Sequence, residues 1–170
     1  NNQVNNLIIA SEQNDDSSDT TFKYQNVDRV DITGYEFGAS MRLPNSMEVS
    51  GSFNHTKAVN EDTGNIIPNR PFYTGNLSLK HRFYKDKIQS IYLLRHFGES
   101  YATEDNSEGY VGYQQLDWKL NTRLGDVDTF VGIRNLFDIK RDALIDSADP
   151  IYDQRPVLGR TFYAGVQYEI

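Results

Sequence analysis

Apolar and polar residues alternate with a period of two along most of this chain, and the pattern recurs segment after segment. From Thr33 to Leu43, Tyr35, Phe37, Ala39, Met41 and Leu43 interleave with Gly34, Glu36, Gly38, Ser40 and Arg42. Met47–Asn54, Tyr73–Phe83, Leu116–Leu124 and Thr161–Ile170 repeat it. Successive side chains of a strand point to opposite faces, so each run predicts a strand with one apolar and one polar side. Lys87–Gly98 and Val127–Phe137 are less regular, and Asn5–Gln13, built around Leu7-Ile8-Ile9, completes about eight strands. Apolar residues are nowhere sustained at helical spacing, so no helix is predicted.

The connections alternate in length. Leu43–Ser46, Tyr84–Lys87 and Leu124–Val127 are short and carry Pro-Asn, Lys-Asp and Gly-Asp, the chemistry of tight turns. Asn14–Thr21, His55–Phe72, Glu99–Tyr110 and Ile139–Leu158 are long. All five prolines fall in connections, as ladder hydrogen bonding requires. An antiparallel up-and-down meander that crosses a bilayer shows this segregation, short turns on one side and long loops on the other. Strands of ~9–12 residues are long enough to span it when tilted. A soluble sandwich with one wet face per sheet would produce the same alternation. The length of the strands and the apolar tip at Ile170 favour the transmembrane barrel, because a soluble strand ending this way leaves an exposed edge.

The 170 residues suit one domain. No run approaches the ~18 apolar residues of a membrane helix, a test that does not touch barrels. Seventeen Lys and Arg against 24 Asp and Glu give a net charge of -7, which argues against a nucleic-acid partner. Without cysteine there is no disulfide, thiolate metal site or thiol nucleophile. The start, Asn1-Asn2-Gln3-Val4-Asn5, lacks a basic or apolar leader; a mature chain or a piece of a longer one is expected.

His55, His81 and His96 lack metal-ligand spacing, and surface or interfacial roles are expected of them. The acidic stretches Asp15–Asp19, Glu61–Asn65 and Glu104–Glu108 are rich in the oxygens calcium prefers, yet none has the EF-hand spacing; solvated loops are expected. No nucleophile elbow, phosphate-cradling glycine loop or tuned carboxylate pair is present, so neither an enzyme nor a cofactor is expected. Tyr73, Phe83, Tyr84, Phe97, Tyr101, Tyr110, Tyr113, Phe137 and Tyr152 lie near predicted strand ends, where rings with polar tips settle at headgroup depth. Asn69, Arg70, Tyr73, Arg155 and Arg160 are loop residues that could touch a ligand, but no physical argument selects them, and the substrate-binding residues are left open.

Four stretches carry a resemblance. Tyr24–Glu36 (YQNVDRV, then TGYE), Asn69–Leu79 (NRPFYTGNLSL), Gly132–Asp138 (GIRNLFD) and Gly159–Tyr168 (GRTFYAGVQY) resemble, in order, strands of TonB-dependent outer-membrane receptors. The resemblance covers roughly residues 5 to 170. It implies that residues 1–170 are the C-terminal segment of a larger barrel of about 22 strands, with the plug domain and earlier strands outside the chain. It also implies a Gram-negative outer-membrane location, periplasmic short turns and extracellular long loops. The implied partners are the lipid bilayer, TonB acting through the plug, and a scarce bulky nutrient such as an iron–siderophore, cobalamin or oligosaccharide. The barrel-assembly machinery would recognise the last strand through Gly165, Tyr168 and Ile170. The family's usual terminal aromatic is replaced here by Ile170. The alternative is a self-contained eight-stranded barrel of structural or adhesive role, in which Asn5–Gln13 must pair with Thr161–Ile170.

Overall fold

The computed structural model describes residues 2–13, 21–140 and 158–168. Its strands are β1 (Asn2–Gln13), β2 (Thr21–Leu43), β3 (Met47–Asn60), β4 (Tyr73–Phe83), β5 (Ile88–Phe97), β6 (Ser100–Tyr101), β7 (Gly109–Tyr110), β8 (Tyr113–Leu124), β9 (Val127–Arg134) and β10 (Thr161–Tyr168). No described residue is helical. Eight strands form one antiparallel meander in chain order, and β6 and β7 form a separate small hairpin. β1 and β10 lie at opposite edges of the sheet. The pairing that would close a self-contained barrel is therefore not made among the described residues.

Register aligns the alternation of each strand with that of its neighbours. Met41, Val49, Leu79, Tyr92, Trp118, Ile133 and Phe162 stand opposite one another in a single line across seven strands. Beside it, on the other face, runs a line of Arg42, Glu48, Lys80, Ile91, Lys119, Gly132 and Tyr163. A slip of one residue anywhere would exchange the two faces, so this register is strongly specified. The apolar face is open: Phe37, Phe162 and Val166 are 67%, 70% and 72% exposed. Its few polar side chains bond locally, as Trp118 does by donating its indole N–H to the buried Ser90 hydroxyl at 2.9 Å.

The three short connections lie at one end. Gly125, at φ 65, occupies the first position of a two-residue hairpin, where a left-handed conformation suits the twist of the flanking strands. Asn45 and Ser46 take positive φ in the turn after Pro44. The described long connections, 61–72 and 98–112, lie at the other end, where the buried cluster of Val27, Val30, Ala58 and Ile67 packs with Val4 and Ile32.

Several boundaries differ from the sequence reading; β1 begins at Asn2 and β8 at Tyr113, each three residues early. β2 begins twelve residues before Thr33, and β3 continues past Asn54 to Asn60. Alternation is weak there: Val27, Val30 and Ala58 are buried with Ile67 of the following loop. Backbone pairing with β1 and with each other holds them. β9 ends at Arg134 because Asn135 takes a positive φ. A hairpin forms inside the connection expected to be irregular at Glu99–Tyr110. Glu169 and Ile170 lie outside the described residues.

Candidate functional site

The polar face is concave where β5, β8, β9 and β10 meet, enclosing about 720 Å³. β5 is apolar on both sides, which blurred its alternation. Ile91 and Leu93 face this hollow, whereas Tyr92 and Leu94 belong to the apolar side. At the centre of the hollow, Asp117 is a junction. One carboxylate oxygen accepts from the Arg95 guanidinium. The other accepts from the Gln115 amide and from the Asn135 backbone N–H, each at 2.9 Å. A carboxylate with three such donors is held by charge-assisted bonds and orients Arg95 in return. The Arg95 Nε is buried without a partner among the described residues.

On β9 and β10 two rings sit across two glycines. Phe130 stands opposite Gly165, and Tyr163 opposite Gly132. A Cβ at Gly165 or Gly132 would fall inside the facing ring, so neither position accepts a side chain without displacing it. Each ring carries a cation: Lys119 Nζ lies 4.6 Å from the Phe130 centroid, and the Arg134 guanidinium 5.2 Å from that of Tyr163.

The segment Asn135–Asp138 ties the wall to the last long connection. Asn135 is 1% exposed. Its amide nitrogen donates to the carbonyls of Ile139 (3.0 Å) and Leu158 (2.9 Å), and its amide oxygen accepts from the Ile139 N–H (2.9 Å). Asp138 accepts from the Arg160 N–H at 2.7 Å, and Arg160 Nε donates to the Leu136 carbonyl at 3.1 Å. Both Asn135 and Asp138 adopt positive φ, which Asn and Asp tolerate better than other residues with a Cβ. This knot holds Ile139 and Leu158 beside each other.

Two other long connections are cross-linked. Asn106 donates to the Ile66 carbonyl (2.9 Å) and accepts from the Ile66 N–H (2.8 Å). Asn65 donates to the Glu104 carbonyl, Asn69 N–H to that of Tyr101, and Phe72 N–H to that of Glu99. Phe72 and Tyr101 pack edge to face at 5.8 Å. The Asp105 carboxyl is held down at about 2 by hydrogen bonds from Thr103 and Ser107.

These contacts locate the residues singled out from the sequence. His55 lies on the apolar face between Tyr35 and Tyr73, with ring centroids 5.1 and 4.7 Å away, and donates through Nδ1 to the Phe72 carbonyl. His81 packs on Phe83 at the opposite end. Tyr73, Phe83 and Tyr84 are exposed at strand ends, as expected of a belt. Phe97 and Tyr113 are not belt rings: register puts them on the polar face, stacked at 4.8 Å. They lie near strand ends, but a single residue of phase decides the face. Tyr101 belongs to the loop contact, Tyr110 to β7, and Phe137 is exposed in the Asn135–Asp138 knot. Tyr152 and Arg155 lie outside the described residues, as do Asp15–Asp19.

Glu61 and Asp62 face Arg29, at 3.9 and 3.1 Å. No group of three or more potential ligands for a metal forms among the described residues. Arg70 is exposed, and Arg160 is committed to the knot. Gly165 seats Phe130, while Tyr168 is exposed on the apolar face opposite Val127. Sequence reasoning missed the convergence of Arg95, Asp117 and Asn135. Its trace was the Asn-Leu-Phe-Asp motif, which marked the turn without revealing what the Asn binds.

The chain matches the family model described as TonB dependent receptor-like, beta-barrel, over residues 1–136. No curated protein matches it in sequence. Among solved structures, it superposes on the copper transporter OprC with a TM-score of 0.75 and 19% identity, covering 98% of this chain and 28% of that one. The siderophore receptor PirA from Acinetobacter baumannii gives 0.71 and 16%, covering 98% and 28%. The ferric enterobactin receptor PfeA from Pseudomonas aeruginosa, in complex with enterobactin, gives 0.69 and 18%, covering 96% and 27%. At these identities the likeness is one of fold, and the chain spans less than a third of each of these proteins.

Proposed function

Because the chain belongs to the TonB-dependent receptor β-barrel family, we propose that it is the C-terminal barrel wall of an outer-membrane transporter for a scarce, bulky nutrient. Siderophore-bound iron is the first candidate, since PirA is named as a siderophore receptor and PfeA as a ferric enterobactin receptor; cobalamin and oligosaccharides are the others. The observation that carries this reading is the unbroken apolar line from Met41 to Phe162, left open on a single-layer sheet. In water such a face is an aggregation site; against lipid tails it is the required surface.

The wall sits in the Gram-negative outer membrane, with the short turns in the periplasm and the cross-linked loops outside. Its polar face lines the lumen, where a plug elsewhere in the protein answers TonB. The residues described here supply wall, lumen surface and loops, and no chemical step is assigned to them. β10 offers the assembly machinery its outward edge, with Gly165, Tyr168 and Ile170 as the recognised positions.

The test is nutrient uptake by the whole receptor. Cells whose only iron source is a ferric siderophore should lose uptake when the gene is deleted, and equally when TonB is removed. Uptake by the receptor that persists without TonB would overturn the reading.

A further inference from the structure

We propose that the hollow on the polar face is a binding site for a carboxylate-bearing anion, held by Lys119 and Arg134. Three cations and one carboxylate line this hollow: Arg95, Lys119 and Arg134 against Asp117. Arg95 and Asp117 neutralise each other. That leaves a surplus of two positive charges on a chain whose net charge is -7.

Lys119 and Arg134 have no carboxylate within ion-pair reach among the described residues. Each lies over a ring, Lys119 over Phe130 and Arg134 over Tyr163. A ring face orients a cation without neutralising it, so each remains able to bind an anion. Lys119 stands opposite Gly132, and Arg134 is two residues further along the same face, a diagonal of ~7–8 Å. Two such diagonal neighbours on one face can meet two carboxylates of one molecule, or of one acidic segment. Gly132 leaves room for the Tyr163 ring, which lines the hollow beside both cations. A concave site with a few convergent polar groups is where ligands bind.

The anion could come free from solution or from an acidic segment of the same receptor outside this chain. Both sources present the same chemistry, and the experiment separates them. The site does not depend on which nutrient is carried, and its test reads binding and melting rather than uptake.

The full-length receptor in detergent is titrated with tricarballylate, a tricarboxylate that is a poor chelator. Binding that weakens with salt, falls at least about tenfold in Lys119→Gln/Arg134→Gln and returns in Lys119→Arg/Arg134→Lys assigns the site to a free anion. Absence of binding, with a Tm lowered by the double glutamine variant, kept by the charge-preserving one, and no longer different in high salt, assigns it to the receptor's own carboxylates. If the double variant does not fold, the single glutamine variants give the same readings. Equal tricarballylate binding by the wild type and the glutamine variants would overturn the proposal. So would a Tm unchanged by loss of the two charges when nothing binds.

Discussion

The wall of this sheet and the cap at its loop end use apolar residues in opposite ways. On the wall, Phe37, Val166 and Phe162 are exposed, and nothing among the described residues packs over them. At the cap, Val27, Val30, Ala58 and Ile67 are buried beneath the chain's own loop. On the proposed orientation the cap stands in water and builds a core from its own residues. The wall needs none, because lipid supplies the other half of the contact. The sequence therefore looks equally hydrophobic in places where burial is made by entirely different partners.

Substitutions that treat the two regions alike should expose the contrast. The largest effect is expected on the wall. Leu77 lies mid-strand on the apolar face, between Gly51 and Leu94. Leu77→Arg should destabilise the receptor in lipid vesicles by about 3 kcal/mol, as charged side chains do near the bilayer midplane. Ser78→Arg, on the other face of the same strand, should cost less than about 1 kcal/mol. Equal costs in a folding titration would erase the distinction between the faces.

The cap should respond next. Ile67 is 2% exposed, and Ile67→Ala should cost about 2 kcal/mol. Hydrogen exchange is expected to rise around 61–72 while β4 and β8 stay protected. A uniform rise across the wall would mean that cap and wall unfold as one unit.

Asn135→Ala removes three side-chain hydrogen bonds from a buried position, and should cost about 1–2 kcal/mol. The expected sign is faster proteolysis between Ile139 and Leu158, with heat-modifiable migration on gels preserved. An unchanged cleavage rate would remove the knot as the restraint on that connection.

The smallest effect is a titration. The Asp105 carboxyl is depressed to about 2, so its bonds to Thr103 and Ser107 are fully present above the ordinary carboxylate value of 3.8. They are lost as pH falls through about 2. The Ser107 amide resonance should move in that window and stay still in Asp105→Asn. Movement near pH 4 instead would show that the carboxyl is not held down.

How much of this was legible depended on whether a signal was local. β4 was readable to the residue, because Tyr73–Phe83 alternates cleanly and is bounded by loop and turn chemistry. The upper part of β2 was not, since Val27 and Val30 are both buried although three residues apart, a spacing that breaks the period of two. Phe97 and Tyr113 were readable as rings near strand ends, but register decided their face. Asp117 was readable as a polar-side charge. Its role as the acceptor for Arg95, Gln115 and Asn135 was not, because those residues converge from three places in the chain.

The sequence by itself determined that this protein is a meander of two-faced strands with short turns at one end and long loops at the other. Period, turn chemistry and proline placement act over a few residues, and each segment carries its own copy. Only the tertiary structure decided which loops lock together, which rings cover Gly132 and Gly165, and which cations face the hollow without a counter-charge. Those outcomes depend on distance between residues remote in sequence, and pairing register sets that distance.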